Sequence, residues 1–176
     1  ANKYTGLQAS VTNAGLVGID DFVLKVTGNV QVNKGPDSGD RLDWTEVTGT
    51  DNELPDVTLT MDHTVELEVS GSAELDVFGF VQVYGGFAFK KSSDVTATLS
   101  GQTTPKTFQV TTVGFEHVDV FVGAGPYFWD SDGNGEIDDN DVPDADAVGF
   151  VLEDVSLAVA LFKPTSGSGS YYAVSA

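Results

Sequence analysis

Hydrophobic residues recur at every second position along most of this chain, and a period of two is the signature of a β-strand with one buried face. Between positions 65 and 89 the odd residues are Val65, Leu67, Val69, Gly71, Ala73, Leu75, Val77, Gly79, Val81, Val83, Gly85, Phe87 and Phe89. The residues between them start polar, with Glu66, Glu68, Ser70, Ser72, Glu74 and Asp76, and then bring in Phe78, Phe80 and Tyr84. A strand usually has about 5–6 residues. The run therefore predicts two or three consecutive strands, or one long strand bent at Gly71, Gly79 and the Gly85, Gly86 pair, because glycine inside a strand marks a bend or bulge. Aromatics on both faces of its second half predict a covering layer over Phe78 and Phe80. The same alternation returns at 22–32, 118–122 and 155–161, separated by turn-rich stretches at 34–40, 50–55 and 164–170. No helix of any length is predicted, although 139–147 has room for a turn or two. The expected fold is all-β: one unit over 1–176 with long antiparallel strands, in a β-sandwich or a flattened β-solenoid-like repeat. Both architectures alternate in the same way.

Composition narrows the chemistry. The chain has 176 residues, 27 acidic against 8 basic, and a formal charge of −19. Phosphate recognition needs clustered Lys and Arg, so nucleic acid is not an expected partner. An anionic membrane surface is equally unsuited, and no apolar stretch approaches the ~20 residues that span a bilayer as a helix. With no cysteine, disulfides, thiolate catalysis and Cys-based zinc sites are excluded. The first residues lack the apolar core of a signal peptide; for a secreted protein that signal has been removed or lies elsewhere in a longer chain. Acidity alone suits solubility in salty or extracellular water. It equally suits carboxylates that await a divalent cation.

Residues 130–141 decide between these in favour of a cation. Set against a twelve-residue Ca²⁺ loop, Asp130, Asp132 and Asn134 fall on positions 1, 3 and 5. Gly135 falls on the sharp turn at 6, and Glu136 at 7 offers its backbone carbonyl. Ile137 is the apolar anchor at 8, Asp138 stands at 9 and Asp141 at 12. A loop that wraps a cation must turn alternate oxygens inward, and glycine lets the chain reverse around the ion. The loop resembles those of dockerins and EF-hands, the aspartate at position 12 being dockerin-like. It departs from both: the residues at 123–129 cannot form an entering helix, and there is one loop rather than two. The expectation is a Ca²⁺ loop inserted between two strands, with Asp144 and Asp146 as candidate extra ligands.

Other polar clusters are weaker. Asp37, Asp40 and Asp43 form an acidic turn with no wrapping pattern, and Asp51, Glu53 and Asp56 a looser one. Asp20 and Asp21 precede a strand. His63 and His117 each stand beside an acid, but no nucleophile elbow, phosphate loop or dinucleotide fingerprint accompanies them. No enzymatic activity is expected. Phe128 and Trp129 are expected to pack over the base of the loop. In a rival reading Trp44, Tyr84, Tyr127, Phe128 and Trp129 form a sugar-binding platform.

Three stretches, 26–35, 83–92 and 155–164, each alternate, reach Lys and enter a turn. They read either as variants of one β unit or as the common placing of Lys at strand ends. Residues 171–176 end within a strand-like pattern and 1–12 begin within one. Joined tail to head they make a continuous strand, as in a unit cut from a tandem array. In style, 74–91 and 148–164 resemble the tandem β-rich repeats of giant bacterial surface proteins of the adhesin or haemagglutinin-like type. That resemblance implies an extracellular location, calcium dependence, and a structural or adhesive role in a filament. Neighbouring copies of the same repeat are the implied partners, joined end to end through edge strands. A calcium-containing carbohydrate-binding or adhesive-tip module, with glycans as partners, is the alternative.

Overall fold

A computed structural model describes residues 2–36, 40–49, 51, 54, 56–92, 94–135, 137–138 and 140–176. Asp37, Glu53 and Glu136, named above, lie outside the described residues.

The alternating stretches form the expected long antiparallel strands. They are β1 (Thr5–Gly15), β2 (Phe22–Lys34), β3 (Val65–Val77), β4 (Val81–Ser92), β5 (Val95–Ala97), β6 (Lys106–Ala124), β7 (Val148–Pro164) and β8 (Tyr171–Ser175). All belong to one open sheet in the order β1-β2-β3-β4-β6-β7-β8, with β5 pairing only with β6. Apart from the short β5, each strand lies beside its neighbour in sequence, the simplest antiparallel topology. The run at 65–89 is two strands, closed by a turn at 78–80 where Phe78 (φ 55) and Gly79 (φ 66) take the left-handed conformation. Gly71 remains within its strand without a register shift, while Gly85 stands at the shift between Tyr84 and Gly86 in the β4–β6 pairing, a bulge where the sequence pattern expected a bend or bulge. Phe78 and Phe80 are not covered by a second layer; they stand exposed at the hairpin tip, where the backbone leaves the sheet.

Register converts the sequence alternation into two unlike faces. Val26, Val30 and Leu24 of β2 oppose Ala73, Val69 and Leu75 of β3. These continue through Phe89 and Val83 of β4 to Val113 and Val120 of β6, and on to Val159 and Leu152 of β7. Leu7 and Ala9 extend the row at one edge, Tyr172 and Val174 at the other. On this face the row from Ala9 to Val174 is apolar from edge to edge, whereas the row from Leu7 to Tyr172 passes through Lys91 and Thr111. The other face carries Glu68, Glu74 and Asp76 on β3, Asp119 on β6, and Lys25 and Lys90 beside them. Lys25 meets Glu74 at 3.0 Å and Lys90 meets Glu68 at 3.0 Å, while Lys91, registered opposite Leu67 near the end of the apolar face, holds Glu66 together with Arg41.

Bulges interrupt this order. The β3–β4 register shifts between Val65 and Leu67, so Val65 leaves the apolar row of the sequence pattern and is buried. Asn13, His117 and Asp154 all have positive φ beside shifts in β1–β2 and β6–β7, as bulges require.

Two long excursions, 35–64 and 125–147, fold back over the polar face. The first contains the one helix among the described residues, α1 (Trp44–Val47), a four-residue turn that the sequence pattern did not announce. Asp43 caps it by accepting from the Thr45 amide at 3.1 Å. No helix of the described residues is long and apolar enough to cross a membrane. Asn33, fully buried, pins this excursion. Its side-chain nitrogen donates to the carbonyls of Leu42 (2.8 Å) and Asp62 (3.0 Å), and its oxygen accepts from Trp44 Nε1 at 2.9 Å. Gly6, paired with Asn33 in the sheet, makes room for the indole: a Cβ there would lie 2.6 Å from Trp44 Cε2. Gln8 and Gln31 reach up to Thr60. Further along the same face Phe108 is buried edge-on against Phe162 and Tyr171.

The apolar face has a close seam between β2 and β3, where Gly28 opposes Gly71. A Cβ on Gly71 would fall 2.1 Å from the Thr27 carbonyl oxygen, whereas one on Gly114 meets nothing nearer than 4.0 Å. Gly71→Ala is expected to force the seam open and cost about 1–3 kcal/mol, with Gly114→Ala close to neutral. Urea denaturation of the two variants against the parent measures the difference.

Candidate metal centre

The excursion at 125–147 connects the two longest strands, β6 and β7, and is fastened before the acidic loop begins. Gln82 of β4 is buried. Its Oε1 accepts from the Phe128 amide at 2.9 Å, and its Nε2 donates to the Phe128 carbonyl at 2.9 Å and to Asp76 Oδ2 at 2.9 Å. Beside it Phe121, 1% exposed, lies against Gly123 and Gly149, where an added Cβ would come within 2.6 Å of its ring. Tyr127 stacks on Phe121 at 5.2 Å, and Phe128 meets Tyr127 edge-on at 5.0 Å. Burial first, and then Glu153 at 3.4 Å, raise the Tyr127 hydroxyl above its ordinary pKa. Ile137 reaches across to Lys25 and Glu74 of β2 and β3, lining a shared cleft with them. The loop is thus laid over the polar face.

Within the loop, carboxylates and amides organise one another. Asp130 accepts from the amides of Gly133 at 2.7 Å and Gly135 at 2.8 Å. Gly133 (φ 78) and Gly135 (φ 93) both have positive φ, a region glycine enters at little steric cost. Asp132 accepts from the Asn134 amide, and Asp138 from the Asn140 amide. Asp141 closes the ring: one oxygen accepts from the Ser131 amide (2.7 Å) and hydroxyl (3.0 Å), the other from the Asp138 amide (2.9 Å). These bonds, that from Asp138 foremost, hold the Asp141 carboxyl below its usual pKa.

Oxygens of Asp130, Asp132 and Asp141 lie within 4.8 Å of one another. Two ligands of one Ca²⁺ are at most about 5 Å apart, twice a metal–oxygen distance of about 2.3–2.6 Å, so the three have a spacing that one cation can span. Asn134 Nδ2 faces Asp132 Oδ2 at 3.2 Å and Asp138 Oδ2 at 3.5 Å, which places both residues beside the cluster. Asp144 and Asp146 are not part of it. Asp144 Oδ1 accepts from the Asp146 amide, and the Asp144 amide donates to Tyr127.

The remaining candidates lie away from this cluster. Asp43 caps α1, Asp40 is exposed, and Asp21 offers its carbonyl to the Phe78 amide at 2.7 Å. His63 stands 3.7 Å from Asp43, and His117 stands 2.7 Å from Asp154 on the exposed bulges. Both histidines thus have an acid distant in sequence within reach. Trp44 is at the opposite end of the strands from the other aromatics, packed at Gly6. Tyr84, Tyr127, Phe128 and Trp129 do come together, lining a cleft of about 140 Å³ with Asp138 and Asp141. Sequence reasoning missed Gln82 and Ser131. Gln82 was visible only as one polar position among several on its strand.

Comparison of the chain with protein-family models, curated proteins and solved structures finds no match in any of the three.

Two measurements check this construction. Gln82→Leu strands the amide and carbonyl of Phe128 and is expected to cost about 1–3 kcal/mol by urea denaturation. The acid response follows from Asp141. Its folded pKa lies below the unfolded value of about 3.9, so its stabilisation is present above that value and lost as pH falls through the folded one. In metal-free buffer, Trp129 emission in a Trp44→Phe background should stay constant at pH 6 and change below about pH 4. Asp141→Asn should remove that acid transition.

Proposed function

We propose that the chain is a calcium-stabilised structural and adhesive repeat of a bacterial extracellular surface protein or fibre. The observation that carries the reading is the convergence of Asp130, Asp132 and Asp141 in a loop that bridges β6 and β7. Asn134, Asp138 and the backbone carbonyl of Glu136 complete the ligand set by their positions in the twelve-residue spacing. Hard carboxylate and carbonyl oxygens favour Ca²⁺. The ion cancels the mutual repulsion of the carboxylates in a chain that carries −19, and so locks the ends of the two longest strands. Millimolar calcium outside the cell then stiffens each unit.

The open sheet supports joining of copies end to end. Among the described residues β1 pairs only with β2, and β8 covers only 158–162 of β7. The outward edge of 148–157 is left with backbone groups suited to another strand, and edges of this kind invite pairing. Neighbouring copies of the same repeat are the partners this predicts.

A second reading, a calcium-containing carbohydrate-binding or adhesive-tip module, is favoured by the aromatic cleft of Tyr84, Tyr127, Phe128 and Trp129 beside the acidic loop. A polysaccharide pull-down that Trp129→Ala abolishes would establish it.

The test of the main reading is thermal unfolding by circular dichroism in millimolar Ca²⁺ and in EGTA. Calcium at a hundredfold excess over Kd adds about 2.7 kcal/mol, a rise of roughly 5–10 °C in a domain of this size. Asp130→Asn with Asp132→Asn should remove the rise. Identical midpoints in calcium and EGTA would overturn the proposal.

A further inference from the structure

The apolar face is the largest feature that the loops leave untouched. Both excursions cover the polar face, while Phe150 (63%), Leu161 (49%) and Phe115 (44%) stand exposed on the other. The chain exposes 11319 Å², whereas a compact monomer of its mass exposes about 8,200 Å². The excess is about 3,000 Å² for one chain. Seven strands about 4.8 Å apart and about 40 Å long give a face of about 1,350 Å², so two copies face to face bury about 2,700 Å² together, within the range of about 2,000–5,000 Å² for obligate dimers. A contiguous apolar patch of that extent is unusual for a monomer.

We propose that this face is the interface with a second copy of the same chain, two sheets packing apolar face to apolar face to close a two-layer sandwich. Charge favours a copy over an unlike partner. The chain carries −19, yet the central rows of this face are uncharged, so two copies meet there without bringing their acidic faces together. Shape favours it as well. The registered row across the middle runs Val11, Gly28, Gly71, Phe87, Phe115, Leu157. It is shallow in its first half and bulky in its second. A two-fold axis between Gly71 and Phe87 lays the phenylalanine ridge of each copy into the glycine furrow of the other, the self-complementarity that an isologous contact requires. This contact uses the face of the sheet and is independent of the edge pairing and calcium binding proposed above.

Sedimentation velocity of the chain over a concentration series, in calcium and in EGTA, tests it. The expected result is a species of twice the chain mass in both buffers. Phe115→Glu should return it to a monomer with its strand circular dichroism intact, and Ala173→Pro, which blocks the β8 edge, should leave the dimer unchanged. Hydroxyl-radical labelling of the parent chain provides a second reading that needs no variant. Labelling of Phe115 and Leu157 should fall several-fold as concentration rises, and no change would overturn the proposal. A monomer at all concentrations would also overturn it. So would a dimer that Phe115→Glu leaves intact, which assigns association to an edge such as the open 148–157 of β7. A monomer that partitions onto neutral lipid vesicles would overturn it too, by giving the face to a membrane.

Discussion

The rest of the structure depends on the antiparallel register, which keeps apolar residues opposite apolar residues from β1 to β8. In a pleated sheet a one-residue slip would turn every side chain to the other side. Because each of the long strands alternates and each pairing preserves the alternation, seven strands share one apolar face and one polar face. The bulges at Asn13, His117 and Asp154 absorb local mismatches and restore the alternation beyond them.

The polar face is where the chain folds back on itself, and two buried amides determine how. Asn33 makes its three bonds, and Gln82 two of its three, with groups on an excursion; the first excursion then seats Trp44 on Gly6, and the second stacks Tyr127 on Phe121 of the sheet. A buried amide with every bond made fixes one geometry, because any shift of the loop leaves a donor or acceptor unpaired. The acidic loop is therefore presented on an anchored base. Ser131 and the amides around Asp141 then gather the carboxylates without a helix.

Much of this was legible in the sequence, for identifiable reasons. Alternation is a local property, so the strands, the all-β class and the shared apolar row could be read directly. Gly135 could be placed at the loop turn because a positive φ demands glycine there. Long-range partners had no local signal. The bulge that turns Val65 away from its row depends on pairing with Ser92, and the exposure of Phe78 and Phe80 depends on where the hairpin turns. The roles of Gln82 and Asn33 became visible only once the loops they hold were placed above them. The four-residue helix at Trp44 is too short to leave a periodic pattern, although its cap, Asp43, was noted as part of an acidic turn. Trp44, grouped with the other aromatics on residue type alone, belongs to the opposite end of the sheet.

The central claim is that the chain seals its polar face with its own two excursions. Met61, within the first excursion, and Phe121, under the second, are each 1% exposed, and Met61 is the only methionine. Hydroxyl-radical footprinting read by mass spectrometry compares them with Phe78 and Phe80 at the open hairpin tip. The account predicts strong protection of Met61 and Phe121 and rapid labelling of the two tip phenylalanines. Met61 and Phe121 labelling at their denatured-state rates, with strand circular dichroism intact, would contradict it.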